Sequence, residues 1–231
     1  QDALGIDLSK PTIGLLTNVI WDAQLHYRAN AFGSMMEWIL ATIDYFTRRT
    51  DLQLVIRVHP AEIRGTVPSR QRVTDEIGRL RGSCPANVFV IPPESPVSTY
   101  AVMDRCNAVL IYGTKTGVEL SARGTPVIVG GEAWIRNKGL TLDAASPEEY
   151  LALLDRLPLA GRLDDATVTR ARKYAYHFFF RRMIPIAAMK PTGEWPPYRM
   201  SVKTLAELEP GRDRGLDVVC DGILDAQPFV Y

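Results

Sequence analysis

Five short apolar runs constrain this chain more than any other feature. They are TIGLLT (12–17), LQLVIRV (52–58), NVFVI (87–91), AVLIY (108–112) and PVIVG (126–130). None of them alternates apolar with polar residues. A strand that is apolar on both faces must be covered on both faces, which is the habit of a parallel sheet layered between helices. Each run also stops abruptly, at Asn18, at His59-Pro60, at Pro92-Pro93, at Gly113-Thr114-Lys115-Thr116-Gly117 and at Gly130-Gly131. Proline cannot continue a central strand, and glycine permits a tight turn.

The segments between the runs read as helices. In 34–48, Met35, Trp38, Ile39, Thr42, Ile43 and Phe46 share one helical face, with Ser34 as N-cap and Glu37 completing a capping box. Helices are also expected over 71–81, from Ser95 or Ser98 to about 104, over 116–122, and from Ser146-Pro147-Glu148-Glu149 through EEYLALLDRL. Strand–helix alternation gives an α/β class with a Rossmann-like, doubly wound parallel sheet over about 11–157. We take 1–160 as that domain and 161–231 as a C-terminal helical extension. The extension is expected to hold one helix over 164–184, an irregular proline-rich KPTGEWPPYRM (190–200), and a final helix in SVKTLAEL (201–208). Phe178-Phe179-Phe180 make the first of these too apolar for a free surface helix, so it is expected either to lie buried against the sheet domain or to turn part of its surface to a missing N-terminal domain, on which the extension would pack back.

Composition removes whole classes of function. A net charge of +1 gives no electrostatic case for nucleic acid. Cys84, Cys106 and Cys220 form no CxxC pair and are odd in number, against a disulfide framework or a zinc site and in favour of a reducing cytoplasm. No run approaches the roughly 20 apolar residues that span a bilayer. The chain opens on Gln1 with no signal-peptide pattern, so it is expected to begin inside a longer protein.

Chemistry gathers at the strand ends, where open parallel sheets bind ligands. Thr114, Lys115 and Thr116 combine hydroxyls and a cation at a helix start, which suits phosphate. The spacing is not that of a Walker A loop. Glu119, one turn further, can accept from vicinal ribose hydroxyls or serve only as an acid favoured by the helix dipole. Arg57 and His59 fall on the same face of a regular strand and could hold a phosphate or a carboxylate. Lys138 and Arg136 read either as further positive charge beside the same pocket or as solvated surface groups, and Asn18, Glu132 and Lys138 are kept as candidates for a sugar. Asp22 and His26 are acid/base candidates on the first loop, and the catalytic candidates as a whole are Asp22 and His59.

Two stretches carry a resemblance, LVIRVHPAE (54–62) and VIPPESPVSTYAVMDRCNAVLIYGTKTGVELSARGTPVIVGGEAWIRNKGLT (90–141). Together they resemble the bacterial capsule polysaccharide biosynthesis family of glycosyltransferase-B type, which includes transferases of Kdo. The shared order is His59-Pro60, the Thr114–Thr116 helix start, Gly117-Val118-Glu119, Gly124-Thr125-Pro126-Val127, then Gly131-Glu132 and Lys138-Gly139. It covers about 11–145. The resemblance implies the C-terminal, nucleotide-sugar-binding half of a two-half enzyme. Arg57, His59, Thr114, Lys115 and Thr116 would hold the donor phosphate, Glu119 the ribose, and the loop with Pro93 and Glu94 the base. It implies a polysaccharide or lipid-linked glycan acceptor, an N-terminal domain outside this chain, no metal or other cofactor, and a cytoplasmic location, either free or peripheral at the inner membrane. Family members often carry Ser-Ser-Thr where this chain has Gly113-Thr114-Lys115, so CMP-linked and other donors both stay open. The rival expectations are a sugar-nucleotide 2-epimerase or polyol-phosphate transferase of the same fold, and a non-catalytic partner-binding domain.

Overall fold

Each apolar run becomes a strand. The computed structural model describes residues 5–7, 9–21, 26–65 and 67–231. Within them β1 (Thr12–Leu16), β2 (Gln53–Arg57), β3 (Val88–Ile91), β4 (Ala108–Ile111) and β5 (Val127–Val129) join a short β6 (Leu142–Asp143) in one sheet. The order is β3-β2-β1-β4-β5-β6 and every pairing is parallel. This is the Rossmann-like order, with its reversal of winding between β1 and β4. The sixth strand has only two, half-buried residues, too few to leave a pattern in the sequence.

Helix α1 (Met35–Phe46) buries the expected face, Met35, Trp38, Ile39, Thr42, Ile43 and Phe46, and adds Tyr45. Ser34 Oγ accepts from the Glu37 N–H at 3.1 Å. The reciprocal half of the capping box is displaced by one residue, because the Glu37 carboxylate accepts from the Gly33 N–H at 2.9 Å. Trp38 is fully buried, with ring centroids 5.7 Å from Tyr112 and 6.5 Å from Tyr150. Thr42 and Tyr150 hydroxyls meet at 2.9 Å. These residues pack with Ile13, Leu15, Leu54 and Ile56 of β1 and β2 in one core on one face of the sheet. The turn after α1 is tied to the start of β3 by one amide: Asn87 Nδ2 donates to the carbonyls of Phe46, Arg49 and Leu52.

The remaining elements of the sheet unit are α2 (Ala61–Arg64), α3 (Val73–Arg81), α4 (Thr99–Met103), α5 (Thr116–Ala122) and α6 (Pro147–Asp155). Ser98 caps α4 and Ser146 caps α6, each through its hydroxyl. Two glycines are required by close approach. A Cβ on Gly130 would stand 2.7 Å from Trp38 Nε1, and one on Gly131 would stand 2.5 Å from the Tyr112 carbonyl.

The chain divides into compact units at residues 1–172 and 173–231, inside helix α7 (Asp165–Tyr176), whereas a division at 160/161 falls before that helix. The single helix expected over 164–184 is instead α-helical to Tyr176 and continues as a π-helical turn, His177–Arg181. Of the three phenylalanines there, Phe178 is buried, Phe179 half-buried and Phe180 67% exposed, so the run is not buried as a block. In the second unit the stretch expected to be irregular forms an antiparallel hairpin, β7 (Met189–Pro191) with β8 (Tyr198–Met200). Thr204 and Glu207 form a capping box, but only a 3-10 turn, Leu205–Leu208, follows it. The final helix is α8 (Arg214–Leu224), capped by the Asp213 carboxylate, which also accepts from the Ala187 N–H at 2.7 Å.

Candidate functional site

The carboxyl ends of three neighbouring strands and the start of α4 enclose a cavity of 260 Å³. Leu16 and Thr17 come from the end of β1, Arg57, His59 and Pro60 from β2, and Thr114 and Thr116 from the turn after β4. Thr99 and Tyr100 of α4 close it. A larger cavity of 510 Å³ lies toward the amino ends of the strands, lined by Ile6, Lys10, Thr12 and Cys106, and holds none of these residues.

Arg57 is the last residue of β2 and is only 4% exposed. Its guanidinium donates to the Pro92 carbonyl at 2.6 Å, the Ser95 carbonyl at 3.2 Å and Thr99 Oγ1 at 3.4 Å. The planar fork suits such a fan of acceptors. Burial lowers its pKa, but a guanidinium stays charged. Arg57 therefore fixes the 92–99 loop and places a positive charge at the cavity wall.

His59 is held on both sides. Its backbone N–H donates to the buried Thr17 Oγ1 at 3.0 Å, and its ring Nδ1 accepts from the Ala61 backbone N–H at 3.1 Å. An accepting Nδ1 puts the proton of the neutral ring on Nε2, which is then a donor. Thr114 Oγ1 accepts from the Thr116 N–H at 3.3 Å and lies 3.2 Å from Thr116 Oγ1, so the two hydroxyls form one polar edge.

Glu119, in the first turn of α5, accepts from the Tyr100 phenol. That bond and partial burial push the phenol up to about 12. Arg123 lies over the Tyr100 ring at 5.5 Å and pairs with Asp104. Tyr100 was not among the residues singled out from sequence. A tyrosine in the first turn of the helix that follows the strand-end Pro92-Pro93, in VSTYAV, is the available signal.

Behind the cavity, Glu62 of α2 is fully buried. Its Oε1 accepts from the Val73 N–H at 3.1 Å, while Oε2 has no partner among the described residues. Burial raises its pKa, the Val73 bond offsetting part of the rise. The folded chain holds this proton where the unfolded chain has released it, so the group's contribution to stability is present at low pH and falls as pH rises through the folded value. Glu62→Gln is expected to remove that decline. Urea midpoints at about pH 5 and about pH 8 should diverge in the variant's favour at the higher pH. Parallel curves for the two proteins would sink the assignment.

The other residues singled out from sequence are placed elsewhere. Lys115 is exposed, outside the cavity lining, and has no ion-pair partner among the described residues. Pro93 is buried, and Glu94 is exposed and paired with Arg72 at 3.4 Å, neither lining the cavity. Asn18 is buried with Oδ1 unpartnered among the described residues. Glu132 and Lys138 line a separate cavity of 360 Å³ with Tyr27 and Trp134, and Glu132 accepts from Asn30 Nδ2 at 2.7 Å. Arg136 is not solvated: it is buried, donates to the Ala144 carbonyl at 2.8 Å and lines the same cavity as Glu132 and Lys138. His26 is exposed, and Asp22 lies outside the described residues. Among the described residues no three His, Cys, Asp or Glu side chains gather as metal ligands, and no helix is long and apolar enough to cross a membrane.

The sheet order and the strand-end crevice define a Rossmann-like α/β protein with its candidate ligand site beside the β1/β4 switch. A model of the family described as capsule polysaccharide biosynthesis protein matches residues 9–169, and the chain belongs to that family. No curated protein matches it. Among solved structures, UDP-GlcNAc 2-epimerase from Neisseria meningitidis, bound to UDP-GlcNAc, is similar with 13% identity and TM-score 0.50, over 75% of this chain and 46% of that one. KpsC of Thermosulfurimonas dismutans, a beta Kdo 2,4 transferase, is similar with 14% identity and TM-score 0.47, over 72% of this chain and 45% of that one. At such identities the likeness is one of fold. The chain spans about half the length of these structures.

Proposed function

We propose that this chain is the donor-binding half of a glycosyltransferase of bacterial capsule or surface polysaccharide synthesis. Its donor is a nucleotide-sugar, with CMP-linked Kdo as one candidate. The observation that carries this reading is the 260 Å³ strand-end cavity, in which Arg57, His59, Thr114 and Thr116 converge in a chain of the capsule family. The epimerase of similar fold is bound to UDP-GlcNAc, which supports a sugar-nucleotide as the ligand class.

In such a transfer an acceptor hydroxyl attacks the anomeric carbon, the bond from that carbon to the phosphate oxygen breaks, and negative charge builds on the departing phosphate. Donors fixed in advance where charge develops are the main protein contribution. The His59 Nε2–H, the Thr114 and Thr116 hydroxyls and the Arg57 charge would fill that role here, with Lys115 adding charge at the rim. Glu119 would accept from the ribose. Glu132 and Lys138, in their own cavity, and Asn18 remain assigned to the sugar, and Pro93 and Glu94 to the base edge. The acceptor glycan and the remaining catalytic groups would come with an N-terminal half, so this chain alone would bind donor without turning it over.

Calorimetric titration of the chain with CMP, UDP and ADP tests the reading. At least one should bind, and His59→Ala and Glu119→Ala should each weaken it about tenfold. Absence of binding by all three sinks it. Turnover of a sugar-nucleotide without acceptor would replace it with the epimerase reading, and self-association without nucleotide affinity would replace it with a partner-binding domain.

A further inference from the structure

We propose that Tyr100 is a positioning residue for the ribose: its phenol holds the Glu119 carboxylate in the one orientation from which it can accept from the sugar hydroxyls of a bound nucleotide. This rests on the nucleotide reading of the crevice.

The geometry builds outward from Arg57. The buried guanidinium grips the Ser95 carbonyl and Thr99 Oγ1, and so fixes where α4 begins. Tyr100 is the next residue. It lines the cavity with Arg57, Thr114 and Thr116, and its phenol reaches across to Glu119 on α5. Its ring is covered on one face by Arg123, 5.5 Å from the centroid, and Arg123 is itself paired with Asp104. Tyr100 is therefore fixed at its backbone, along its ring and at its oxygen.

Glu119 is only half-buried, and without such a hold its side chain would sample several rotamers. The phenol occupies Oε2, and Oε1 has no partner among the described residues. An ionised carboxylate accepts up to about four hydrogen bonds, so the tethered group keeps capacity for a vicinal diol. A phenol held near pKa 12 stays protonated, and remains a donor, through the neutral range.

The test reads discrimination rather than affinity alone. Whichever of CMP, UDP or ADP binds the chain is titrated beside its 2′-deoxy counterpart, against wild type and Tyr100→Phe. Phenylalanine keeps the ring and its contact with Arg123 and removes only the oxygen. Wild type should prefer the ribonucleotide by about tenfold, the scale of one hydrogen bond to a charged group. Tyr100→Phe should reduce that preference below about threefold, with 2′-deoxy affinity within about twofold of wild type. A Tyr100→Phe chain that keeps the full preference overturns the proposal, as does a wild type with no preference, and both leave the nucleotide reading standing. A wild type that binds no nucleotide overturns that reading and this proposal together.

Discussion

Arg57→Ala should weaken nucleotide binding at least about 100-fold and destabilise the fold by roughly 2–4 kcal/mol. Both effects come from the same three bonds. Without the guanidinium, the Ser95 carbonyl and Thr99 Oγ1 lose its donors and the Pro92 carbonyl keeps only the Ser95 N–H at 3.1 Å; a hydrogen bond to a charged group is worth about 1.5–3 kcal/mol. The 92–99 loop then loses its anchor, α4 loses its fixed start, and the cavity loses its buried cation. Arg57→Lys should recover little, because the three donors of an ammonium radiate from one nitrogen and cannot span the acceptors that Nε, Nη1 and Nη2 of Arg57 reach separately. Calorimetry with the tightest nucleotide, beside urea unfolding of both variants, separates binding from folding. Wild-type affinity in Arg57→Ala would falsify the role given to this residue.

Trp38→Ala should be the most damaging single change to stability, at about 3–5 kcal/mol, a large part of the 5–15 kcal/mol typical of a whole domain. Trp38 is fully buried and joins α1 to the ends of β4 and β5 through Tyr112 and the close face of Gly130, and to α6 through Tyr150. Alanine would leave a cavity about the size of an indole in the core between α1 and the sheet. Trp38→Phe should retain more than half of the lost stability, since an aromatic ring still fills most of the space. The check is a urea or thermal midpoint for each variant. A loss below about 1 kcal/mol for the alanine variant would mean that the site collapses around the missing ring.

The sheet was legible in the sequence because its strands are apolar throughout and each is stopped by residues that cannot continue it. The runs predicted at 52–58 and 108–112 are strands at Gln53–Arg57 and Ala108–Ile111, and 116–122 is a helix with those bounds. The second unit was not legible for physical reasons. The β7–β8 residues are exposed on both faces, so no burial pattern marks them. Helix α8 contains two glycines, Gly215 and Gly222, and two adjacent valines, so intrinsic propensity speaks against it. SVKTLAEL carries a good capping box and reads as a helix, yet the chain leaves it after one turn toward Pro210-Gly211.

At the site, residue types at strand ends could be read from sequence, and their partners could not. Nothing in RVHPAE shows that Arg57 will spend its donors on carbonyls of a distant loop, or that His59 Nδ1 will be occupied by the Ala61 N–H. Lys115 drew attention by its charge and lies outside the cavity lining, whereas Tyr100, unremarkable in sequence, touches both the cavity and Glu119.

The order of the strands also dictates how the chain must assemble. Strand β1 is the centre of the sheet, and its two neighbours arrive late in synthesis: Ile13 pairs with Leu54 on one side and with Ala108 on the other. No hairpin brings these segments together, so each pairing waits on the closure of a long loop before any ladder bond rewards it. Until Ala108–Ile111 has emerged and docked, one edge of β1 stands open with its amides and carbonyls unmatched. The architecture that gathers Arg57, His59 and Thr114 along one edge thus makes for a slow folder, whose most vulnerable moment is the interval in which the middle of its own sheet is still an edge.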